Sequence, residues 1–145
     1  MIPLRALIAL SLLLGGCNSY VLKGHVVQGD ISIMSFVRPD DPRLANPPVT
    51  GARVTVVRDP ENLGAERVGS ELSDGYGEFW VPLDAFGAGH LDEVFRISVS
   101  RSGYQTANSL QRLRASDERV LLVILGSGQP DAAPEGLLDQ YERFR

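Results

Sequence analysis

Residues 94–100 read Val-Phe-Arg-Ile-Ser-Val-Ser and decide the fold class, because apolar and polar side chains alternate along them without interruption. Phe95, Ile97 and Val99 fall on one face of an extended chain, and the polar residues between them fall on the other. A period of two is typical of a strand with one buried face. The stretch therefore predicts a β-strand that covers a hydrophobic core.

Similar stretches recur along the chain and are separated by residues that favour turns. Seven or eight strands at spacings of about 8 to 12 residues predict an all-β fold, either a sandwich or a barrel. No helical periodicity competes with this pattern before residue 130. The predicted strands lie at residues 21–27, 31–37, 49–58, 66–73, 79–82, 94–100, 104–113 and 119–125.

A tight turn is predicted at residues 74–77, which read Asp-Gly-Tyr-Gly, because two glycines there can adopt positive φ. The strands on either side make residues 69–82 a predicted hairpin. In that hairpin Trp80 alternates away from its apolar neighbours, so Trp80 and Tyr76 are candidates for an aromatic contact with a sugar or a protein. The alternative is that both rings simply pack on the core or its edge.

Two long connections interrupt the strand pattern. Residues 38–48 contain several prolines and acids, which predicts an exposed loop rather than a strand. The second connection spans residues 85–93. Loops of this kind are the variable and sometimes functional parts of a sandwich.

The N-terminus has the features of an export signal. Arg5 precedes the apolar run at residues 6–14, which is too short to span a bilayer at about 20 residues but has the length of a signal-peptide core. The run leads into Leu14-Gly15-Gly16-Cys17, which resembles the lipobox of bacterial lipoproteins. This resemblance implies that residues 1–16 are removed and that residues 17–20 form a lipidated N-terminus, with the lipid on Cys17.

The single cysteine fits this interpretation. Cys17 has no second cysteine with which to form a disulfide, although the predicted destination is oxidising. The alternatives are an ordinary cleaved signal peptide or an uncleaved anchor. Asn18 is not the aspartate that commonly retains lipoproteins in an inner membrane, so an outer membrane is favoured if the host has one.

Charge argues against a nucleic-acid partner. The formal net charge is -4, and the 14 basic residues are spread along the sequence instead of forming a basic run. Binding to nucleic acid requires clustered cations that displace counterions from phosphates.

Residues 126–145 are predicted to be a linker followed by a short helix or a disordered tail. Leu137, Leu138, Tyr141 and Phe144 are spaced as on one face of a helix, and Pro134 suits its first turn. A helix of twelve residues is marginal in water, so it is docked, disordered or a partner-binding stripe.

Four motifs in order resemble those of carboxypeptidase regulatory-like domains. They lie at residues 24–26, 51–56, 73–79 and 95–104, and the resemblance covers about residues 21–125. It implies a seven-stranded, transthyretin-like or immunoglobulin-like β-sandwich. The two long loops at residues 38–48 and 85–93 depart from a minimal domain of this type.

The sequence offers no convincing catalytic or metal site. His90 and Glu93 have the spacing of a metallocarboxypeptidase motif, but the only other histidine, His25, lies upstream, and zinc hydrolysis requires a third protein ligand. No serine is marked as a nucleophile by a nearby base. We therefore expect no enzyme activity, no cofactor and no bound metal.

The sequence thus predicts a lipid-anchored module of the cell envelope that is not an enzyme. Its predicted contacts are the membrane, through lipid on Cys17, and an envelope protein or the cell wall. The alternative is a surface lipoprotein that binds a carbohydrate or another small ligand, using Tyr76, Trp80 and the two long loops.

Overall fold

The structure is a computed structural model that describes residues 19–85, 87–113 and 119–128. The predicted signal peptide, Cys17 and the predicted C-terminal helix lie outside these residues. The described part is an all-β fold with a single turn of 3-10 helix at Pro42–Ala45. Its strands are β1 (Val21–Gly29), β2 (Ile33–Val37), β3 (Arg53–Arg58), β4 (Glu66–Leu72), β5 (Glu78–Pro82), β6 (Val94–Ser100), β7 (Ala107–Arg112) and β8 (Val120–Gly126).

The eight strands form two sheets of four, so the all-β prediction is confirmed. Sheet A has the order β2-β8-β1-β5, and sheet B has the order β4-β3-β6-β7. All pairs are antiparallel except β1 with β8, which run parallel. The strand number is eight and not the seven that the family resemblance implied, because every one of the eight apolar segments finds a hydrogen-bonding partner.

The core lies between the two sheets and is built by the alternation seen in the sequence. Phe95, Ile97 and Val99 are fully buried from sheet B, and Phe79 and Val81 meet them from sheet A. Central strand β8 differs from the rest, since Leu121–Leu125 are buried at every position. A strand that is buried on both faces needs a cover on its outer side.

Residues 38–48 provide that cover. The chain leaves β2 at one end of sheet A and returns across its outer face to the other end. Leu44 packs there against Val27, Val37, Leu122 and Ile124, which form a second small apolar cluster. The segment contains no strand, as predicted, but its middle is docked on sheet A and is not a free loop.

Backbone hydrogen bonds fasten the returning segment to β1. The amide of Gln28 donates to the carbonyl of Pro47 at 2.8 Å, and the amide of Val49 donates to the carbonyl of Val26 at 2.9 Å. Asp41 begins the short 3-10 helix by accepting a hydrogen bond from the amide of Arg43.

The predicted hairpin at residues 69–82 is wrong. Its two strands, β4 and β5, belong to different sheets, so the turn at residues 74–77 is a corner that carries the chain across the core. The Asp74 carboxylate accepts hydrogen bonds from the amides of Tyr76 and Glu78, both at 2.9 Å. Gly77 has φ 74°, and a Cβ there would stand 2.4 Å from the carbonyl oxygen of Val26. The tight turn was predicted correctly, although only Gly77 of its two glycines has a positive φ, but a tight turn by itself cannot distinguish a hairpin from a corner.

The sandwich has two distinct ends. We call the end where β1 begins the proximal end: there the amide of Leu83 donates to the carbonyl of Tyr20. We call the opposite end the distal end: it holds the start of β3, the 74–77 corner and the turn after β6. β1 has nine residues and rises about 3.3 Å per residue, so this strand alone spans roughly 25 Å. Within the described residues, no helix is long and apolar enough to cross a membrane.

Candidate functional site

An open pocket lies at the distal end of sheet B, on the face that points away from the core. The register places Arg53 between Leu72 of β4 and Ser100 of β6. Because Val54 and Val56 are buried, Arg53 points outward. The pocket has a volume of about 470 Å³ and is lined by Gly51, Arg53, Leu72, Ser100, Arg101 and Ser102.

Arg101 reaches this pocket by lying over Gly51. Its Cζ is 3.6 Å from the position that a Cβ on Gly51 would occupy, and Gly51 has φ 70°. Glycine adopts this left-handed conformation without strain. The conformation and the missing side chain together leave room for the Arg101 guanidinium over Gly51, in the pocket that Arg53 also lines.

The two guanidiniums in the pocket lack a counter-charge from the described residues. The ion pairs of the described chain involve other arginines: Arg38, Arg43, Arg58 and Arg112. Among the described residues, no acidic side chain lines the pocket. Two cations and two serines therefore line the same pocket, although the whole chain is acidic.

The rest of the outer face of sheet B also carries positively charged side chains. Its rows place Arg53, Arg67, Arg96 and Arg112 on the outside and bring no acidic strand residue to that face. Arg112 is paired with Asp92 from the preceding loop, with an Nη1 to Oδ1 distance of 3.0 Å. Hydroxyl side chains fill the row between, where the Oγ1 of Thr55 lies 3.5 Å from the Oγ of Ser70.

Trp80 lies on the opposite sheet and is half-exposed, with 49% of its surface accessible. It stands opposite Lys23 on β1, nearer the proximal end. In the next row, the Nε2 of His25 lies 3.5 Å from the Oε1 of Glu78. The ring is therefore not a core residue, and its neighbours on the outer face of sheet A include Lys23 in the same row and Glu78 in the next.

Tyr76 is not part of the same surface patch. It is 79% exposed and stands in the 74–77 corner, beyond the row in which Glu78 pairs with His25. Trp80 lies further along β5 towards the proximal end. The two predicted aromatic candidates are therefore both accessible to solvent. Tyr76 lies at the distal end, whereas Trp80 lies on the outer face of sheet A.

Within the described part of the chain, His90 and Glu93 have no third side chain with which to form a metal site. His90 is exposed in a turn, whereas Glu93 forms a hydrogen-bonded ion pair with the Nη2 of Arg58. This hydrogen bond raises the pKa of the Arg58 guanidinium above its usual value. Among the described residues, no group of three histidine, cysteine or acidic side chains could hold a metal ion.

The alternation of Arg53 with buried Val54 and Val56 indicates its outward direction, but that alternation does not indicate that Arg101 lines the same pocket. The two residues are far apart in the chain, and only the register of β3 with β6 brings them together. The available signal was Gly51, whose position two residues before an outward-facing arginine marks a place where another side chain can approach.

The described residues therefore define an all-β sandwich with a cationic pocket at one end. No protein-family model matches the chain, and no curated protein sequence is a significant match. The resemblance to carboxypeptidase regulatory-like domains stays a prediction from the motifs quoted above.

Proposed function

We propose that the protein is a lipid-anchored binding module of the cell envelope that is not an enzyme. The lipid is attached to Cys17, and β1 begins at Val21, so only residues 18–20 separate the anchor from the folded domain. This short connection supports a sandwich held close to the membrane surface at its proximal end. An outer membrane is the favoured location if the host has two membranes.

The observation that carries the binding role is the exposure of Trp80. A tryptophan side chain gains much from burial, and exposed aromatic rings are enriched where proteins meet partners. Trp80 is fixed on a strand with hydrogen bonds to β1, and Lys23 stands beside it. The partner that suits this patch is an envelope protein or the cell wall, which would bury the ring and contact the charge.

The anchor is tested by labelling cells with palmitate. The wild-type chain should incorporate the label, and Cys17→Ala should not. Equal label in both, or label in neither, would contradict lipidation at Cys17.

The partner is tested by in-cell crosslinking of a C-terminally tagged chain, followed by mass spectrometry. Trp80→Ala should lose a reproducible envelope partner that the wild type retains. Leu110→Ala is the matched control, because Leu110 is similarly exposed at 48% but lies on sheet B. A partner that survives Trp80→Ala, or that Leu110→Ala also removes, would contradict a role for this patch.

A second candidate function is carbohydrate binding at the same ring. The charged residues that flank Trp80, Lys23 and Glu78, supply hydrogen-bonding groups beside an aromatic platform. Trp80 is the only tryptophan, so its fluorescence reports on this site alone. A glycan panel that leaves the emission unchanged would exclude this candidate.

A further inference from the structure

The distal pocket of sheet B has the charge and the hydrogen-bonding groups of an anion site. The guanidiniums of Arg53 and Arg101 both line it, and neither forms an ion pair with a carboxylate of the described residues, so an anion in the pocket is attracted by two positive charges. Arginine recognises phosphate and carboxylate through paired N–H donors in a planar fork. Ser100 and Ser102 add two hydroxyl donors at the rim.

Charge and donor number favour a phosphate monoester over a carboxylate. A phosphate monoester carries about -1.5 to -2 charges near neutral pH and offers three strong acceptor oxygens. A carboxylate carries a single charge and two oxygens. The phosphoryl group thus has enough acceptor oxygens for the hydrogen-bond donors of two arginines and two serines. A single carboxylate has too few acceptors for all of these donors.

The rest of the pocket indicates an organic ligand. Its volume of about 470 Å³ is far larger than one phosphoryl group requires. Leu72 lines one side and is 52% exposed, which leaves an apolar wall beside the cations. We propose that this pocket binds an organic phosphate monoester, with its phosphoryl group on Arg53 and Arg101 and its organic part against Leu72.

The position of the pocket also restricts the source of that ligand. It lies at the distal end of the sandwich, opposite the end at which β1 begins. If Cys17 carries the lipid, as proposed above, the pocket lies at the end of the sandwich that is remote from the anchor. Its ligand is then a soluble molecule or a group on the cell wall rather than a headgroup of that membrane.

Binding is tested with the full chain in nonionic detergent, by calorimetry and by amide NMR shifts. Phenyl phosphate and benzoate are the probes, because they share a ring and differ in the anion. Phenyl phosphate should bind saturably, shift the amides of Gly51 and residues 100–102, and bind more tightly than benzoate or inorganic phosphate. Binding of benzoate as tight as that of phenyl phosphate, or no saturable binding, would overturn the proposal.

Variants assign the contacts. Arg53→Gln and Arg101→Gln should each weaken phenyl phosphate binding about tenfold, the usual loss for a charge-assisted hydrogen bond. Leu72→Ala should remove the advantage of phenyl phosphate over inorganic phosphate. Arg96→Gln is the control, since Arg96 lies on the same face but outside the pocket. An equal loss in Arg96→Gln would mean diffuse attraction and overturn the site.

This test separates the pocket from the proposed function. Unchanged thermal unfolding of the variants shows that their folding is intact, and the binding readout does not depend on the lipid. Failure of phosphate binding would leave palmitate labelling at Cys17 unaffected, and failure of labelling would leave the pocket unaffected.

Discussion

The hydroxyl of Ser73 donates a hydrogen bond of 2.7 Å to the carbonyl of Val49 in the interior of the protein. The same oxygen accepts from the amide of Ala52 at 2.9 Å, and Ser73 is only 4% exposed. One side chain thus fastens the end of the segment that covers sheet A to the corner through which the chain changes sheets. Without this hydroxyl, a buried carbonyl and a buried amide lose their partner.

Ser73→Val should therefore destabilise the protein by about 1–3 kcal/mol, the usual penalty for buried polar groups left without hydrogen bonds. Urea unfolding, followed by far-ultraviolet circular dichroism, measures the change. Ser98→Ala serves as the control, because Ser98 is half-buried on the outer face of sheet B and should change stability little. Similar midpoints for Ser73→Val and the wild type would contradict this role.

Gly24 allows β1 and β8 to approach over a core phenylalanine. A Cβ on Gly24 would stand 2.4 Å from the carbonyl oxygen of Leu121 and 2.4 Å from the Cζ of Phe79. The first neighbour is backbone and cannot rotate away. Gly24→Ala should thus cost about 1–3 kcal/mol or more in the free energy of unfolding, as overpacked cores do.

The matched control for that substitution is Gly75→Ala in the corner. A Cβ on Gly75 meets nothing within 4 Å, and its φ is not positive. The same chemical change should therefore leave the urea midpoint nearly unchanged. Equal losses for Gly24→Ala and Gly75→Ala would contradict steric overlap as the cause at Gly24, because the entropy of the unfolded chain favours alanine over glycine at both positions.

The fold was largely predictable because burial imposes a period of two on strands, and that period is visible in single segments. The pairing of segments was not. Asp74 and Gly77 favour the same tight turn whether the flanking strands pair or separate, so the corner was mistaken for a hairpin. The apolar content of β8 signals burial on both faces, but it does not reveal that Leu44 supplies the outer cover.

The candidate sites likewise include one feature that neighbouring residues predict and one that depends on strand pairing. Exposure of Trp80 follows from alternation with Phe79 and Val81, which is local information, and the structure agrees. That Arg53 and Arg101 line the same pocket cannot be predicted from neighbouring residues in the sequence, because it depends on which strand lies beside β3. The even distribution of arginines along the sequence therefore does not predict which of them lie near one another in the folded protein.

The ion pair between Arg58 and Glu93 holds the 85–93 connection against the proximal end of the sandwich. Both side chains are about three-quarters buried, and the second carboxylate oxygen of Glu93 is buried without a hydrogen bond. Arg58→Met should lower the urea midpoint, because it leaves a partly buried carboxylate without its cation. The double variant Arg58→Met/Glu93→Leu should recover part of the loss.

Arg38→Met is the control for Arg58→Met, because Arg38 forms an ion pair with Asp40 in which both side chains are largely exposed. Exposed pairs contribute little, so this variant should leave the midpoint near that of the wild type. A double variant less stable than Arg58→Met would contradict the idea that the unpaired Glu93 causes the loss.

Acid should loosen the segment that covers sheet A through Asp41. Hydrogen bonds from the Arg43 side chain and backbone lower the pKa of the Asp41 carboxyl from 3.8 to about 2. A lowered pKa in the folded protein means that the carboxylate stabilises the fold above about pH 4, and that this contribution is lost as the pH falls towards 2.

Arg43→Gln should raise the pKa of Asp41 towards 3.8, as measured by an NMR titration of its carboxyl carbon. The effect should shrink in high salt, because the Arg43 side chain is exposed to solvent. An Asp41 pKa that is the same in the wild type and in Arg43→Gln would show that the amide of residue 43 alone sets it.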